Sequence, residues 1–282
     1  MTQVRKVPLN AGAEWLLGGF SLWRRAPLAL GLLGLIWGGI SGLASVTGQL
    51  WLSLLLALLG PILFAGVVYA AREVDQGRKA SPAHLVQGLR EGKGPRLMAM
   101  LLPQLVALLV VALLLVVMIG GEQMQHIVQV MEQMQTNPDP KLAETLPAGR
   151  MFAWLLAALV VGVVAGFFTF VAIPDVMFTQ RGAIEAMRLS LRACLRNLGA
   201  LVVMFVLLLI AMVAISIAVN LLVVLLAWLV GQPTAVFVGQ LVLMAVIIPV
   251  MAGLVYYAWQ QMLGGDVPPP VPATHAAGGI EV

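Results

Sequence analysis

The sequence predicts an all-α, polytopic membrane protein of about six transmembrane helices, with an amphipathic interfacial helix ahead of spans 1, 3 and 5. Three observations lead there. Of 282 residues, 61% are hydrophobic and 10% charged, against about 45–50% and about 25% in a soluble domain. Six apolar runs, nearly free of charge, are long enough to cross a hydrocarbon core about 30 Å thick. Within such runs, for example "LLPQLVALLVVALLLVVMIGG" from Leu101 to Gly121, polar and apolar residues do not alternate, as strands of a transmembrane barrel would.

Taken in order, the spans fall at about 28–47, 50–71, 97–119, 151–173, 199–229 and 234–260. Residues 1–262 then form one integral membrane domain, and 263–282, rich in Pro, Gly and Ala, form a disordered tail. The first apolar run follows an amphipathic segment and is followed almost at once by a second, which fits an uncleaved hairpin rather than a signal peptide. Of the sixteen Lys and Arg, fourteen lie before span 1, between spans 2 and 3, or between spans 4 and 5; the other side has Lys141 and Arg150. The positive-inside rule therefore expects both termini in the cytoplasm of a bacterial inner membrane. The net charge of +4 belongs to this asymmetry and to anionic lipid rather than to nucleic acid. Cys194 is the one cysteine, so no internal disulfide forms.

The outer loop, 120–150, carries Met124, Ile127, Val128, Met131 and Met134 at helical spacing. This predicts an amphipathic helix that ends at "NPDP". The same methionines with His126 resemble a soft-metal set, but Met124 and His126 point to different sides of a helix. A packing face is the better reading, and no metal or other cofactor is expected.

A basic helix precedes three of the spans. In "EAMRLSLRACLRNLGALVVM", Arg188, Arg192 and Arg196 recur every four residues opposite an apolar stripe of Ile184, Met187, Leu191 and Cys194 or Leu195. Such a helix is expected to lie in the interface, apolar face among acyl chains and arginines among phosphates. Aligning Glu14 with Glu185 places Arg25 on Arg196 and Pro27 beside Asn197; "SPAHLVQGLREGKGPRL" from Ser81 is a weaker third copy. The hairpins "PILFAGVVYAA" from Pro61 and "PVMAGLVYYAW" from Pro249 also match. Three parallel units, each a short helix and a hairpin, are the result.

Arg24, Arg25, Arg188, Arg192 and Arg196 are thus candidate contacts for anionic lipid or a protein partner. Gly34, Gly38 and Gly42 in span 1, and Gly162 and Gly166 in span 4, have the small-residue spacing that lets helix backbones approach, mainly within the chain and alternatively in a homo-oligomer. Gln104, Ser216 and Asn220 are intramembrane polar residues, expected to bond between helices. Asp175, beside Pro174, reads as a cap or loop residue. Catalytic signatures are lacking: Ser41 in "GGISG" has no histidine in any span to serve as base. An enzyme is not expected.

The stretch "FVAIPDVMFTQRGAIEAMRLSLRACLRNLGAL", with "VPLNAGAEWLLGGFSLWRRAPLAL" and "PVMAGLVYYAWQQML", resembles a family of uncharacterised proteobacterial inner-membrane proteins over roughly residues 7–262. That family has about six spans and a P-x-x-V…A-x-x-x-S-x-x-A-x-x-x-N signature. The matching positions are Pro174, Ala186, Ser190, Ala193 and Asn197, with Met177 where Val is usual. More loosely, the chain is similar to the membrane domain of glycerophosphoryl diester phosphodiesterases, without the phosphodiesterase domain. The resemblance implies fold and location and carries no activity. The function expected is a non-enzymatic membrane scaffold or adaptor; the alternative is a small permease or lipid-handling transporter with a pathway near Ser216 and Asn220.

Overall fold

Glycine and proline set most of the helix boundaries in the computed structural model, which describes residues 4–137, 142 and 144–264. Helix α1 (Ala11–Arg25) stops before Pro27, whose fixed φ opens α2 (Pro27–Val46). Helix α3 (Leu50–Asp75) returns to the basic side. The third basic segment is not one helix but a 3-10 turn (Pro82–Val86), α4 (Gln87–Arg90) and α5 (Gly94–Met98), leading into α6 (Leu102–Ile119). Gly92, at φ +68°, takes a conformation that opposes a continuous helix there.

Helix α7 (Gly121–Thr136) is the amphipathic helix of the 120–150 loop, and α8 (Ala148–Thr169) with α9 (Ala172–Phe178) forms the fourth span. Helices α10 (Ala183–Arg196), α11 (Leu198–Val230) and α12 (Gln232–Met262) complete the third unit, α11 and α12 meeting at Gly231 with φ +82°. Six helices or joined helix pairs are long and apolar enough to cross a membrane, and among the described residues no strand occurs. The predicted tail lies outside the described residues, apart from Leu263 and Gly264.

The buried core lies at the basic side, around the last turns of α3 and α12, all of α9, and the inner faces of α1 and α10. Helix α12 is central and contacts α1, α2, α3 and α11. Helices α6 and α11 remain largely exposed along their length, as lipid-facing surface in a membrane protein.

The short helices follow a cyclic rule. Helix α1 packs on α11 and α12 of unit three; the 3-10 turn, α4 and α5 pack on α3 of unit one; α10 packs on α8 and α9 of unit two. Each unit thus covers the hairpin of the unit before it. Close approach needs glycine at these crossings. A Cβ on Gly12 would meet the Ala200 carbonyl oxygen at 2.1 Å, and one on Gly19 the Val250 oxygen at 2.4 Å.

The two glycine stripes of the spans separate here. Gly34, Gly38 and Gly42 lie against Met244, Ala245 and Phe237 of α12, as expected. Gly162 and Gly166 have nothing within 4 Å of a built Cβ, so internal packing by them is corrected: they line an open crevice between α8 and Leu201 and Phe205 of α11.

Candidate functional site: the basic face

Each basic helix has one face consumed by packing, and that face is not the most apolar one. On α10, Ala186, Met187, Ser190, Ala193 and Cys194 are buried, with Asn197 just beyond the helix. Ile184 and Leu195, expected in the apolar stripe, are exposed. Small side chains sit inward because they let α10 approach the backbone of α8 and α9. The same logic governs α1, which buries Ala11, Gly12, Trp15, Leu16, Gly19 and Leu22. Neither helix floats on acyl chains by its whole apolar face; each is wedged into the protein. On α7 the buried residues are Ile127 and Val130, whereas Val128 and Met131 are exposed.

Ser190 repairs a helix break. Its hydroxyl donates to the Phe167 carbonyl at 2.7 Å and accepts the Val171 N–H at 3.1 Å. It thereby stands in for the i→i−4 bond that Val171 would make to Phe167, at the point where α8 gives way to α9. The Cys194 thiol donates to the same carbonyl at 3.7 Å, and burial pushes that thiol up to about 12.

Asn197 ties the amino-terminal segment. Its Oδ1 accepts the Val7 N–H at 2.8 Å, and its Nδ2 donates to the carbonyls of Arg5 and Ala193, both at 2.9 Å. The segment is further held by Arg196, whose Nη1 donates to the Val4 carbonyl at 2.8 Å, and by Arg5 N–H to the Met262 carbonyl at 3.0 Å. Arg196 is therefore a tether as well as a surface cation.

Asp175 is a helical residue of α9, fully buried, and not a loop residue. Its Oδ1 receives Arg181 Nη1 at 2.6 Å and the Trp259 indole N–H at 3.1 Å. Arg181, in the linker after α9, supplies the charge partner that a buried carboxylate requires, and the Trp259 indole joins α9 to α12. Asp75, at the end of α3, accepts both Tyr256 and Tyr257 hydroxyls at 3.1 and 2.8 Å. Lys93, also buried, donates to the Met177 carbonyl. These partners were missed in the sequence; the signals, Asp75 and Asp175 near the ends of two spans and a Tyr pair in α12, name no counterpart. Pro249 leaves the Ala245 carbonyl without its helical donor, and the Trp23 indole N–H takes that place at 3.1 Å.

The remaining sequence candidates are dispersed. Gln104 donates to Thr169 Oγ1 at 3.3 Å, clasping α6 to α8. Asn220 is exposed and donates to the Ser216 carbonyl of its own helix at 2.8 Å, so these two do not bond between helices. His126 pairs with Thr145 Oγ1 at 3.1 Å, and among the described residues no cluster of three His, Cys, Asp or Glu could hold a metal. Arg24, Arg25, Arg188 and Arg192 are exposed around the basic face. Arg25 lies 3.7 Å from Asp75 and, with Arg78 and Lys79, lines a crevice of about 470 Å³.

In comparisons with protein-family models, curated proteins and solved structures, nothing matches this chain. The class follows from the fold itself: this is a multi-pass α-helical integral membrane protein with a tightly packed basic face.

Proposed function

We propose that the protein is a non-enzymatic scaffold of a bacterial inner membrane, with both termini in the cytoplasm, which engages anionic lipid or a protein partner through its basic face. One observation carries this reading. Helices α1 and α10 spend one side on packing and still present Arg24, Arg25, Arg188 and Arg192 outward, fixed on a rigid frame rather than on mobile loops. Each such charge near an anionic leaflet contributes roughly 1 kcal/mol, so four exposed on the basic face favour that surface. The resemblance to proteobacterial inner-membrane proteins supports the same location. The permease alternative loses its anchor, because Asn220 is satisfied within α11 and faces outward.

The test uses the full-length protein extracted gently from phosphatidylglycerol-containing membranes. Replacing Arg24, Arg25, Arg188 and Arg192 with Gln should reduce co-purifying anionic phospholipid severalfold. Unchanged lipid content would reject the reading for lipid. Reporter fusions at residue 135 and after the carboxyl terminus should read outside and inside; any other pattern rejects the orientation.

A further inference from the structure

A groove of about 520 Å³ runs between α6 and α8 toward α10, within the roughly 300–1,000 Å³ typical of small-ligand sites. Its walls are aliphatic and aromatic, Val106 and Val110 on one side and Val164 and Phe168 on the other. Among the described residues lining it, Arg188 is the one with a polar side chain, and it sits at the α10 end beside Ile184.

The groove is framed rather than accidental. Near Arg188, Gln104 donates to Thr169; at the far end the Trp154 indole N–H donates to the Val111 carbonyl at 3.1 Å. These two hydrogen bonds hold α6 and α8 together along the groove's length. From Leu102 to Val110 the α6 wall rises about 12 Å, a stretch of fatty chain rather than a compact solute. Exposed Arg188 stands at the end where a chain entering from the interface would carry its headgroup. Arg96 Nη1, which donates to the Gln180 carbonyl at 3.3 Å, adds a second cation near the entry to α10.

We infer that this groove holds one acyl chain of an anionic phospholipid, with the lipid phosphate on Arg188. The inference deepens the reading of the basic face as a lipid-facing surface and rests on it. Apolar walls in a membrane-spanning pair match an acyl chain, and a guanidinium at their basic end matches a phosphate. A zwitterionic lipid offers the same phosphate plus an ammonium that Arg188 repels, so the net anion is preferred.

The test is native mass spectrometry of the full-length protein from nanodiscs of equal parts phosphatidylglycerol and phosphatidylcholine. One phosphatidylglycerol should survive delipidation that strips the rest. Val106→Trp or Val164→Trp, which fill the groove, should remove it. Arg188→Gln should lower the preference for phosphatidylglycerol about fivefold, the loss of one interfacial charge contact, and Arg188→Lys should restore most of it. Arg150→Gln, an exposed cation on the side opposite the basic face and outside the groove lining, should leave retention unchanged. Full retention in both tryptophan variants, or an unchanged preference in Arg188→Gln, overturns the groove. Retention lost in Arg24→Gln but kept in the groove variants also overturns it while sparing the basic-face reading. No anionic lipid on any form overturns both.

Discussion

Asn197→Ala tests how the amino-terminal segment is held. At least four hydrogen bonds among the described residues fasten residues 4–7 to the body, and Asn197 supplies two of them, to Val7 N–H and Arg5 C=O. A net hydrogen bond is worth roughly 0.5–1.5 kcal/mol, so their loss should cost the segment about 1–3 kcal/mol. At about 1.4 kcal/mol per tenfold, the local opening equilibrium should shift roughly 5- to 150-fold. Hydrogen–deuterium exchange of a peptide covering residues 4–10, in the full-length protein in nanodiscs, reads this directly. A peptide from α7, remote from Asn197, serves as the internal control. Asn197→Asp sharpens the test: it keeps an acceptor for Val7 N–H but turns carboxylate oxygen toward the Arg5 and Ala193 carbonyls. That variant should open the segment at least as far as alanine. Unaltered exchange at residues 4–10 in both variants would refute the latch.

Four more outcomes follow from the same geometry. Gly12→Ala and Gly19→Ala should lower thermal stability in detergent, since a Cβ there meets backbone at 2.1 and 2.4 Å, whereas Gly162→Ala and Gly166→Ala should be neutral or stabilising by up to about 1 kcal/mol each, as helix propensity predicts; the reverse ranking would contradict the packing. Cys194, buried with its thiol pushed up to about 12, should resist maleimide in the folded protein and react after denaturation; rapid labelling of the native form would place it elsewhere. Burial holds the His84 imidazole below its ordinary value, opposed by Glu73 and assisted by Arg90, so the unfolded chain binds the proton more readily and stability should fall as pH drops below about 6.5; melting curves between pH 8 and about 5.5 should show that loss, and His84→Gln should flatten it. Phe178→Ala should cost about 2–4 kcal/mol, somewhat under the range for a fully buried Phe, read as loss of chemical-denaturation stability, because its ring meets Tyr69, Tyr256, Trp259 and the Arg72 guanidinium; a change under about 1 kcal/mol would remove it from the core.

The six spans were legible because a bilayer demands long uncharged helices whatever they pack against. What hydropathy misjudged was direction. The α10 stripe expected among acyl chains divides: Met187 and Cys194 are buried in protein while Ile184 and Leu195 stay exposed, because lipid solvates apolar side chains as well as protein does. Packing inside a membrane rewards small residues instead, and the A-x-x-x-S-x-x-A-x-x-x-N pattern, Ala186 to Asn197, is the buried face itself. The glycine stripes show the complementary limit. Gly34 and Gly162 stand in the same kind of pattern, yet one meets α12 and the other an open crevice; spacing records the possibility of contact and not the partner. The ties of Asp75 and Asp175 to α12 were opaque for a related reason, since Tyr256 and Trp259 lie 181 and 84 residues away.

The cyclic placement of the short helices ties these particulars together. In each unit the second span ends on the basic side with an aromatic ring: Tyr69, Phe178 and Tyr256. Phe178 touches both others, with ring centroids 6.4 and 6.0 Å apart, so the three units converge on one node. Around it, each short helix covers the preceding unit's hairpin, α1 closing the circle by packing on α11 and α12. No unit can therefore bury its own apolar surface without a neighbour, which is the condition that makes repeated elements fold together. The same arrangement explains why the basic face is rigid while the far ends of α6 and α11 remain lipid-exposed. Cohesion is concentrated where the charges are, so the lipid or partner proposed for that face would meet a preorganised surface that costs little ordering on binding.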